Sequence, residues 1–310
     1  MLPKMISLNY KTKPMKRSTF LKQSGALATL SFLPTACFNS SHDRFPMGLQ
    51  LYTVRDFMAK DPVGTLKKLK SMGYTDFETY GYDTENKSYY GFKAEDFKQI
   101  LTDLELSTYS GHYGVHGLME ATAIEVERYV ESCIEGALAL GDAFITWPKL
   151  DAAYHSEAGY QLLVSQLNAI GKQVSAAGLK FAYHNFGYDF NTYGNKMGID
   201  WVLEETDPNY VQLEVDFYWV MHAGVVTPKQ LIEKAAGRVP LWHIKDMDKL
   251  SRDYTELGNG SIDYTRLLPS AKTAGLERYY IEQGGNFAVN SMQSVADSAR
   301  YFKKNLREKF

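Results

Sequence analysis

Metal-binding side chains recur in this sequence directly after short apolar segments of the kind that form buried strands. Four residues show the pattern: His184, Asp216, His243 and Glu282. His243 is the clearest, because the apolar residues 240–242 lead into it and Lys245 and Asp246 follow at once. Two imidazoles and two carboxylates would hold a divalent metal and leave positions open for substrate oxygens. The mixed nitrogen and oxygen donors favour Mn²⁺, Co²⁺, Zn²⁺ or Fe²⁺ over Mg²⁺ or Ca²⁺, without choosing among those four.

A metal of this kind supports removal of a proton next to a carbonyl, because it stabilises the negative charge that develops on the oxygen. One side chain must take the proton and another must return one. Glu282 is the first candidate for the base, as metal ligand and base together. His112, which follows the third predicted strand, is the second candidate, because a neutral imidazole titrates near working pH. Lys245 would polarise a sugar oxygen or hold an anionic group, and a solvated surface lysine is its alternative interpretation.

Further residues near predicted strand ends suit a sugar, which offers an apolar face for stacking and hydroxyls for hydrogen bonds. Glu78 ends the second predicted strand and could bond a hydroxyl. Glu256 lies in the loop after the seventh and could close over the site. The other candidates for substrate binding are Asn185, Trp147, Tyr218 and Trp219. Packing at the rim of the fold is the alternative explanation for the aromatic side chains.

The elements that must position these residues alternate along the chain. The hydrophobic pattern predicts strands at residues 48–54, 74–80, 106–110, 143–147, 179–183, 211–215, 240–242 and 278–281. It predicts helices at residues 62–72, 94–104, 120–140, 156–177, 199–205, 228–236, 264–274 and 292–306. Glycine ends four of the helices, at positions 73, 141, 178 and 275.

Eight strand–helix pairs in about this length predict a (β/α)₈ TIM barrel, in which the carboxyl ends of the strands meet at one face. The candidate residues would then lie together at that face. A doubly wound open sheet is the alternative, but its Gly-x-Gly-x-x-Gly turn does not follow the first predicted strand.

The amino-terminal segment differs from the rest of the chain. Residues 1–37 hold six Lys or Arg and no Asp or Glu, and an apolar run covers residues 25–33. This combination is typical of a signal peptide. We expect translation to start at Met15, a polar tether to cover residues 38–46, and residues 47–310 to form a single catalytic domain.

Two partial motifs bear on the export route. Residues 35–37 (TAC) resemble a bacterial lipobox, with Cys37 as the lipid-bearing residue that attaches the protein to a membrane. Residues 17–22 (RSTFLK) resemble a twin-arginine signal in which Ser18 replaces the second arginine. Ordinary export with an incidental cysteine is the alternative. We expect a periplasmic or membrane-anchored protein.

Charge and cysteine content exclude some classes of protein. Without residues 1–37 the chain has 34 − 6 = 28 basic and 36 acidic side chains, a net charge of −8. Such a surface repels phosphate backbones, so we expect no nucleic-acid partner. Cys133 is the only cysteine besides Cys37, so a disulfide framework is not expected. The sequence does not indicate an oligomeric state.

Several motifs together resemble the sugar phosphate isomerase/epimerase family, which has a xylose isomerase-like TIM barrel. They are residues 178–185 (GLKFAYHN), 213–219 (LEVDFYW), 243–247 (HIKDM), 257–263 (LGNGSID) and 280–283 (YIEQ). The resemblance covers residues 47–310 and implies a divalent metal at the ends of strands five to eight. Carried over by position, the ligands are His184, Asp216, His243 and Glu282.

The sequence departs from the family at strand five. Ketose epimerases of the family carry Glu where this chain has His184, and they use two metal-bound Glu residues as acid and base on opposite faces of the substrate. Only Glu282 remains of that pair. Related members with Tyr-His-Asn at this strand often continue with a second His, where this chain has Phe186.

These observations predict a metal-dependent isomerase or epimerase. Because sugar phosphates are cytoplasmic metabolites, export favours a non-phosphorylated sugar, including an oxidised keto-sugar. A keto-glycoside lyase is the alternative enzyme, since the same carbanion would eliminate a glycosidic oxygen from the next carbon. A sugar-binding lipoprotein without catalysis is the alternative from another class. The mature charge of −8 and the export signal argue against a nuclease.

Overall fold

The eight predicted strands form a closed parallel barrel in the computed structural model, which describes residues 45–310. The strands are β1 (Gly48–Gln50), β2 (Asp76–Tyr80), β3 (Ser107–His112), β4 (Phe144–Trp147), β5 (Lys180–His184), β6 (Gln212–Asp216), β7 (Leu241–Ile244) and β8 (Arg278–Ile281). They pair in chain order, and β1 closes the barrel on β8 with Gly48 opposite Tyr280. The TIM-barrel prediction is confirmed. The predicted signal peptide, the start at Met15 and the lipid-bearing Cys37 lie outside the described residues.

Helices surround the barrel, and short hairpins extend from its loops. The α-helices are Arg55–Met58, Pro62–Met72, Ala94–Asp103, Ala123–Leu140, Glu157–Ala176, Gly198–Glu205, Phe217–Ala223, Pro228–Lys234, Tyr264–Leu267, Ala271–Ala274 and Ser291–Asn305. The hairpins pair Ser88–Tyr89 with Phe92–Lys93, Thr192–Tyr193 with Lys196–Met197, and Asp246–Met247 with Tyr254–Thr255. No helix within residues 45–310 is both long enough and apolar enough to cross a membrane.

Local capping explains the bounds of the helix Ala123–Leu140. Thr122 accepts a hydrogen bond from the backbone N–H of Glu125, and the Glu125 carboxylate accepts one from the N–H of Thr122. This capping box satisfies two backbone donors that the helix leaves unpaired. Gly141 ends the helix at φ 90°, a left-handed conformation that favours glycine. Gly73 and Gly275 end their helices in the same way, as predicted.

Two local predictions are wrong, and one helix was not predicted. The first strand was predicted to continue to residue 54, but Leu51–Val54 is a 3₁₀ helix. The predicted helix 264–274 is two short helices, because Pro269 lacks an N–H and disfavours helical backbone in the residue before it. The helix Phe217–Ala223 was not predicted, because its bulky aromatic sequence is typical of a strand.

Charged residues fill the amino-terminal end of the barrel. Glu277 accepts a hydrogen bond from the Tyr109 hydroxyl at 2.6 Å and pairs with the Lys180 ammonium at 2.6 Å. The Arg278 guanidinium lies 4.1 Å from the centre of the Tyr109 ring and pairs with Asp76 at 3.3 Å. These contacts join the first residues of β2, β5 and β8, and the site lies at the opposite end of the barrel.

Asp142, between the helix cap Gly141 and β4, should make the folded state less stable as pH rises. Burial, opposed in part by the Thr108 hydroxyl, raises its pKa to about 7. Between about pH 4 and pH 7 the unfolded chain therefore loses this proton while the folded chain keeps it, which favours unfolding. We expect Asp142→Asn to remove this dependence. The free energy of unfolding of the variant, relative to that of the wild type, should therefore rise by about 1–3 kcal/mol between pH 4.5 and pH 7.5.

Urea unfolding at the two pH values measures this difference. The exposed Asp103 provides the matched control, and Asp103→Asn should track the wild type at both pH values. An Asp142→Asn curve that parallels the wild type would show that this carboxyl is ionised in both states.

Candidate active site

The four predicted metal ligands lie together at the carboxyl ends of β5 to β8. His184 and Asp216 are the last residues of β5 and β6, His243 lies in β7, and Glu282 directly follows β8. One potential ligand atom of each lies within 4.8 Å of those of the other three. None of the four residues is more than 9% exposed. They are called the ligand cluster below.

His184 presents one ring nitrogen to the cluster because the other is held elsewhere. Its Nδ1 lies 3.0 Å from the backbone carbonyl oxygen of Pro148, which can only accept a hydrogen bond. Nδ1 therefore carries the proton, and Nε2 faces Asp216 Oδ2 at 3.5 Å with its lone pair. Burial lowers the pKa of His184 to about 4, so the imidazole is neutral at neutral pH.

Asp216 is oriented by its neighbours in sequence and in space. Its Oδ1 accepts a hydrogen bond from the backbone N–H of Tyr218 at 2.9 Å, which caps the following helix and leaves Oδ2 in the cluster. The Asn185 side chain bonds to the backbone N–H of Asp216 at 2.9 Å and to its carbonyl at 3.4 Å. Asn185 is fully buried, so it positions Asp216 rather than contacting substrate as predicted.

His243 lies between carboxylates on both sides of its ring. Nδ1 is 2.7 Å from Glu282 Oε2, and Nε2 is 2.6 Å from Glu78 Oε2 and 3.3 Å from Glu214 Oε1. Burial alone would lower the pKa of His243, but the three carboxylates outweigh it and raise the pKa well above its usual value. A hydrogen bond from Nε2 to Glu78 leaves Nδ1 as the ligand nitrogen, which is the usual arrangement around a metal-bound histidine.

The cluster fits a divalent cation. His184 Nε2, Asp216 Oδ2, His243 Nδ1 and Glu282 Oε2 are all buried and lack a well-aligned hydrogen bond within residues 45–310. Buried polar atoms without such partners are unfavourable, and a cation would satisfy all four at once. Two imidazole nitrogens and two carboxylate oxygens match the donors that Zn²⁺, Mn²⁺, Co²⁺ and Fe²⁺ accept.

Lys245 contributes the positive charge nearest to the cluster. Its Nζ lies 2.6 Å from Asp216 Oδ2 and 2.7 Å from Glu282 Oε2. Burial would lower the pKa of Lys245, but the two carboxylates outweigh it and raise the pKa. The ammonium opposes the effect of burial on the carboxylates and holds the pKa of Asp216 below its usual value. A metal ion therefore competes with this ammonium for the same two oxygens.

A second group of side chains lies next to the cluster and includes a residue that the sequence analysis missed. Glu214 Oε2 is 2.6 Å from His112 Nε2, and Glu78 Oε2 is 3.3 Å from the same nitrogen. Glu214 precedes Asp216 by two residues in β6, so both side chains lie on the same face of the strand. A charged residue in a short apolar strand was the signal that could have revealed it.

Glu78 was predicted to bond a substrate hydroxyl, but its surroundings are different. It is fully buried inside the barrel, accepts a hydrogen bond from the Gln50 side-chain amide at 2.8 Å, and contacts His243. Burial and repulsion from Glu214 raise its pKa. Glu78 therefore orients His243 from behind, on the side opposite to Glu282.

A cavity of about 530 Å³ opens above the cluster. Its inner end is lined by His112, His184, Lys245, Tyr254 and Glu282. Both predicted acid–base residues, on β3 and after β8, thus face one space.

Three of the predicted aromatic contacts, Trp147, Tyr218 and Trp219, do not line this cavity, whereas Tyr52 and Tyr80 at other strand ends do. Trp147 is buried and donates its indole N–H to the carbonyl oxygen of Lys149, and the Tyr218 hydroxyl donates to the carbonyl oxygen of Arg252. Trp219 packs behind Phe186, with ring centres 5.0 Å apart, and Phe186 itself lines the cavity. The packing interpretation therefore describes these three side chains, because strand ends alone do not show which way an aromatic ring points.

Glu256 does not close over the site as predicted. Its buried carboxylate accepts hydrogen bonds from the Ser294 hydroxyl and from the Ala288 backbone N–H. The loop after β7 is thereby fastened to the last long helix, Ser291–Asn305. A carboxylate held by these donors is not available to a substrate.

The fold and the ligand cluster define a TIM barrel with a potential metal site at the carboxyl ends of its strands. A family model described as "xylose isomerase-like TIM barrel" matches residues 66–304, and the chain belongs to that family. The family resemblance recognised in the sequence is thus confirmed.

Individual proteins are also similar to this chain in sequence or in structure. Two curated Salmonella proteins named inosose dehydratase are 31% identical over 132 residues, covering 36% of this chain and 42% of theirs. The match thus spans less than half the length of those relatives. A sugar phosphate isomerase/epimerase from Parabacteroides distasonis has 23% identity and a TM-score of 0.74, covering 88% of this chain and 98% of that chain.

Two other solved structures share the fold at lower identity. A 3-keto-D-glucoside 4-epimerase from E. coli has 17% identity and a TM-score of 0.63, covering 84% of this chain and 100% of that chain. The IolI protein, solved with a bound zinc atom, has 13% identity and a TM-score of 0.65, covering 86% of this chain and 99% of that chain. At these identities the likeness establishes the fold alone.

Proposed function

We propose that this protein is a metal-dependent enzyme that removes a proton next to the carbonyl of a non-phosphorylated keto-sugar, and that it epimerises that carbon. The observation that carries the proposal is the ligand cluster, whose four potential ligand atoms lie together beside a cavity that His184, Glu282 and His112 line. Lys245 pairs only with the two carboxylate oxygens, so His184 Nε2 and His243 Nδ1 still lack a well-aligned partner within residues 45–310, which a cation would supply.

Each residue of the site has a chemical role in this proposal. His184, Asp216, His243 and Glu282 would hold the metal, which supplies a Lewis acid for the carbonyl oxygen. Glu282 and His112 are the two acid–base groups, and they approach the cavity from different strands. Lys245 binds a substrate oxygen when it is not paired with the carboxylates.

The hydrogen bond between His112 and Glu214 assigns the proton-carrying atoms. Glu214 accepts from Nε2 at 2.6 Å, so Nδ1 keeps the lone pair and is the atom that takes a proton from substrate. Glu78 and Glu214 both raise the pKa of His112 against the effect of burial, which strengthens it as a base. Glu214 thus positions His112, and His112 supplies the group that the family's strand-five Glu would supply.

Two considerations support the choice of substrate class. The export signal predicted from the sequence would direct the protein to the periplasm or, through Cys37, to a membrane, where sugar phosphates are not the usual metabolites. The sequence of an inosose dehydratase matches 132 residues of this chain, and a 3-keto-D-glucoside 4-epimerase shares the fold. Both reactions, as chemistry, begin most easily with loss of a proton beside a ring ketone. A small-molecule sugar is therefore the partner we propose.

Elimination is the second candidate reaction. Epimerisation needs a proton donor on the face opposite to the base, and it depends here on His112 in that role, because His184 replaces the carboxylate that provides it in ketose epimerases. If the carbon next to the carbanion bears a glycosidic oxygen, the electron pair forms a C=C bond while the C–O bond breaks. The departing alcohol then takes a proton from the acid group. This outcome would make the protein a keto-glycoside lyase.

Incubation with 3-keto-glucosides and with plain ketoses in D₂O, followed by ¹H NMR, tests the proposal. We expect loss of the signal of one ring proton as deuterium replaces it, with appearance of the epimer. Release of the aglycone would identify the lyase instead. Sugar binding without metal and without exchange in any substrate would contradict both reactions and identify a non-catalytic binding protein.

A further inference from the structure

The cavity continues outward beyond the ligand cluster. It is also lined by Tyr82, Tyr113, His116, Tyr129 and Lys149, which come from the loops after β2, β3 and β4 and from one helix. These five residues are called the outer subsite. The metal ligands and Lys245 come from β5 to β8, on the other side of the barrel, and the proposed chemistry leaves the outer subsite without a role.

The volume of the cavity exceeds what one sugar ring fills. A hexose has about 12 non-hydrogen atoms, and at no more than ~30 Å³ each, the share of a water molecule in the liquid, it occupies at most about 360 Å³. The cavity measures about 530 Å³. A monosaccharide at the ligand cluster therefore leaves part of the cavity unfilled.

The walls of the outer subsite are pre-formed. The Tyr82 ring packs on Gly136 so closely that a Cβ on this glycine would lie 2.4 Å from the ring, and it meets Tyr113 at a centroid distance of 5.8 Å. The Tyr129 hydroxyl occupies the space beside Gly114 that a side chain there would need, 2.7 Å from an added Cβ. Close packing against Gly136 and Gly114 thus fixes the positions of the Tyr82 and Tyr129 side chains.

Polar atoms accompany the aromatic walls. His116 Nδ1 is buried and has no hydrogen-bond partner within residues 45–310. Burial and the nearby Lys149 lower the pKa of His116, so its imidazole is neutral and bonds a hydroxyl as donor or acceptor. Lys149 adds a half-exposed ammonium at the rim. A pyranose ring matches this combination, because it has an apolar face for the aromatic rings and hydroxyls for the polar atoms.

We propose that the outer subsite binds a second pyranose ring, joined by a glycosidic bond to the sugar that reacts, so that the substrate is a keto-disaccharide. The identity of the first ring rests on the proposed function, whereas the second ring is inferred from the outer subsite alone. An aromatic aglycone would fill the same volume but would offer no hydroxyls to the His116 imidazole and the Lys149 ammonium that line it.

Binding of unoxidised sugars to the metal-loaded protein tests the inference, because these probes do not react. Isothermal titration calorimetry would compare methyl glucoside with phenyl glucoside and with cellobiose, maltose and trehalose. We expect the best disaccharide to bind at least ~10-fold more tightly than methyl glucoside, since a stacked ring and new hydrogen bonds are added. Tyr129→Ala and His116→Ala should bring the ratio of the disaccharide affinity to the methyl glucoside affinity close to one.

The controls separate this inference from a folding defect and from the proposed function. Ile124→Ala changes an exposed residue of the helix that carries Tyr129 and should keep the wild-type ratio. Lys149→Ala, at an exposed position, should lower the ratio without any risk to the core. Equal binding of methyl glucoside and every disaccharide, or tightest binding of phenyl glucoside, would overturn the inference. Deuterium exchange in methyl 3-keto-glucoside tests the proposed function separately, because it needs no second ring.

Discussion

Replacing Asp216 or His243 with Ala is expected to remove the bound metal and reduce deuterium exchange to background. Each substitution removes one of the four metal ligands, and the three that remain should hold the cation too weakly to retain it. Loss of a residue that merely orients a ligand weakens metal binding about 10–100-fold, so loss of a ligand should exceed about 100-fold. Metal analysis of proteins purified without chelator, by inductively coupled plasma mass spectrometry, measures the effect.

His222→Ala provides the matched control for the metal measurement. His222 belongs to the short helix that follows Asp216, and it contacts the rings of Tyr218 and Trp219 rather than the ligand cluster. This variant should retain the wild-type metal content. Wild-type metal content in both Asp216→Ala and His243→Ala would show that the cation binds elsewhere, and circular dichroism would confirm that each variant is folded.

His112→Asn is expected to lower the rate of deuterium exchange by about 10²–10⁴-fold while the metal content stays at the wild-type level. The Asn side chain still donates a hydrogen bond toward Glu214, but it has no lone pair that takes a proton at working pH. His112 belongs to a second group of potential metal ligands, with Glu78, Glu214 and His243, but not to the ligand cluster, so a metal bound in the ligand cluster should remain. Exchange rates from NMR and metal analysis on the same preparation separate the two effects.

The comparison variant for this experiment is His155→Asn. His155 bonds to the Leu150 carbonyl and packs on Tyr188, away from the cavity lining. It should exchange deuterium at the wild-type rate. If His112→Asn also does so, Glu282 alone performs the proton transfer, and the hydrogen bond from His112 to Glu214 is only structural.

The sequence predicted the barrel well because local signals determine its elements. Strands such as β4 and β7 are short apolar runs, and the ends of the helices carry cap residues such as Gly73 and Gly141 whose conformation depends on the residue itself. The ligands His184 and Asp216 could be predicted for a related reason. A parallel barrel brings strand ends together whatever the details of packing, so polar residues at those ends must be neighbours.

The remaining features depend on side-chain direction, which the sequence does not encode locally. Glu78 and Glu256 have the same residue type and similar positions near strand ends, yet one points into the barrel and the other toward Ser294. Glu214 was not predicted to be a site residue because it lies inside a predicted strand, where apolar residues are expected. The direction of the Trp147 side chain could not be predicted either, because a hydrogen bond from its indole N–H to the Lys149 carbonyl oxygen turns the ring into the core.

The Lys245 ammonium affects when the protein can acquire its metal ion relative to folding. Because Nζ lies 2.6 Å from Asp216 and 2.7 Å from Glu282, each of these buried carboxylates has a cationic partner before any metal binds, and folding does not have to wait for an ion. Metallation is then a separate event from chain maturation. A chain exported as we propose would acquire its ion after crossing the membrane, and the external supply would decide which element each molecule carries.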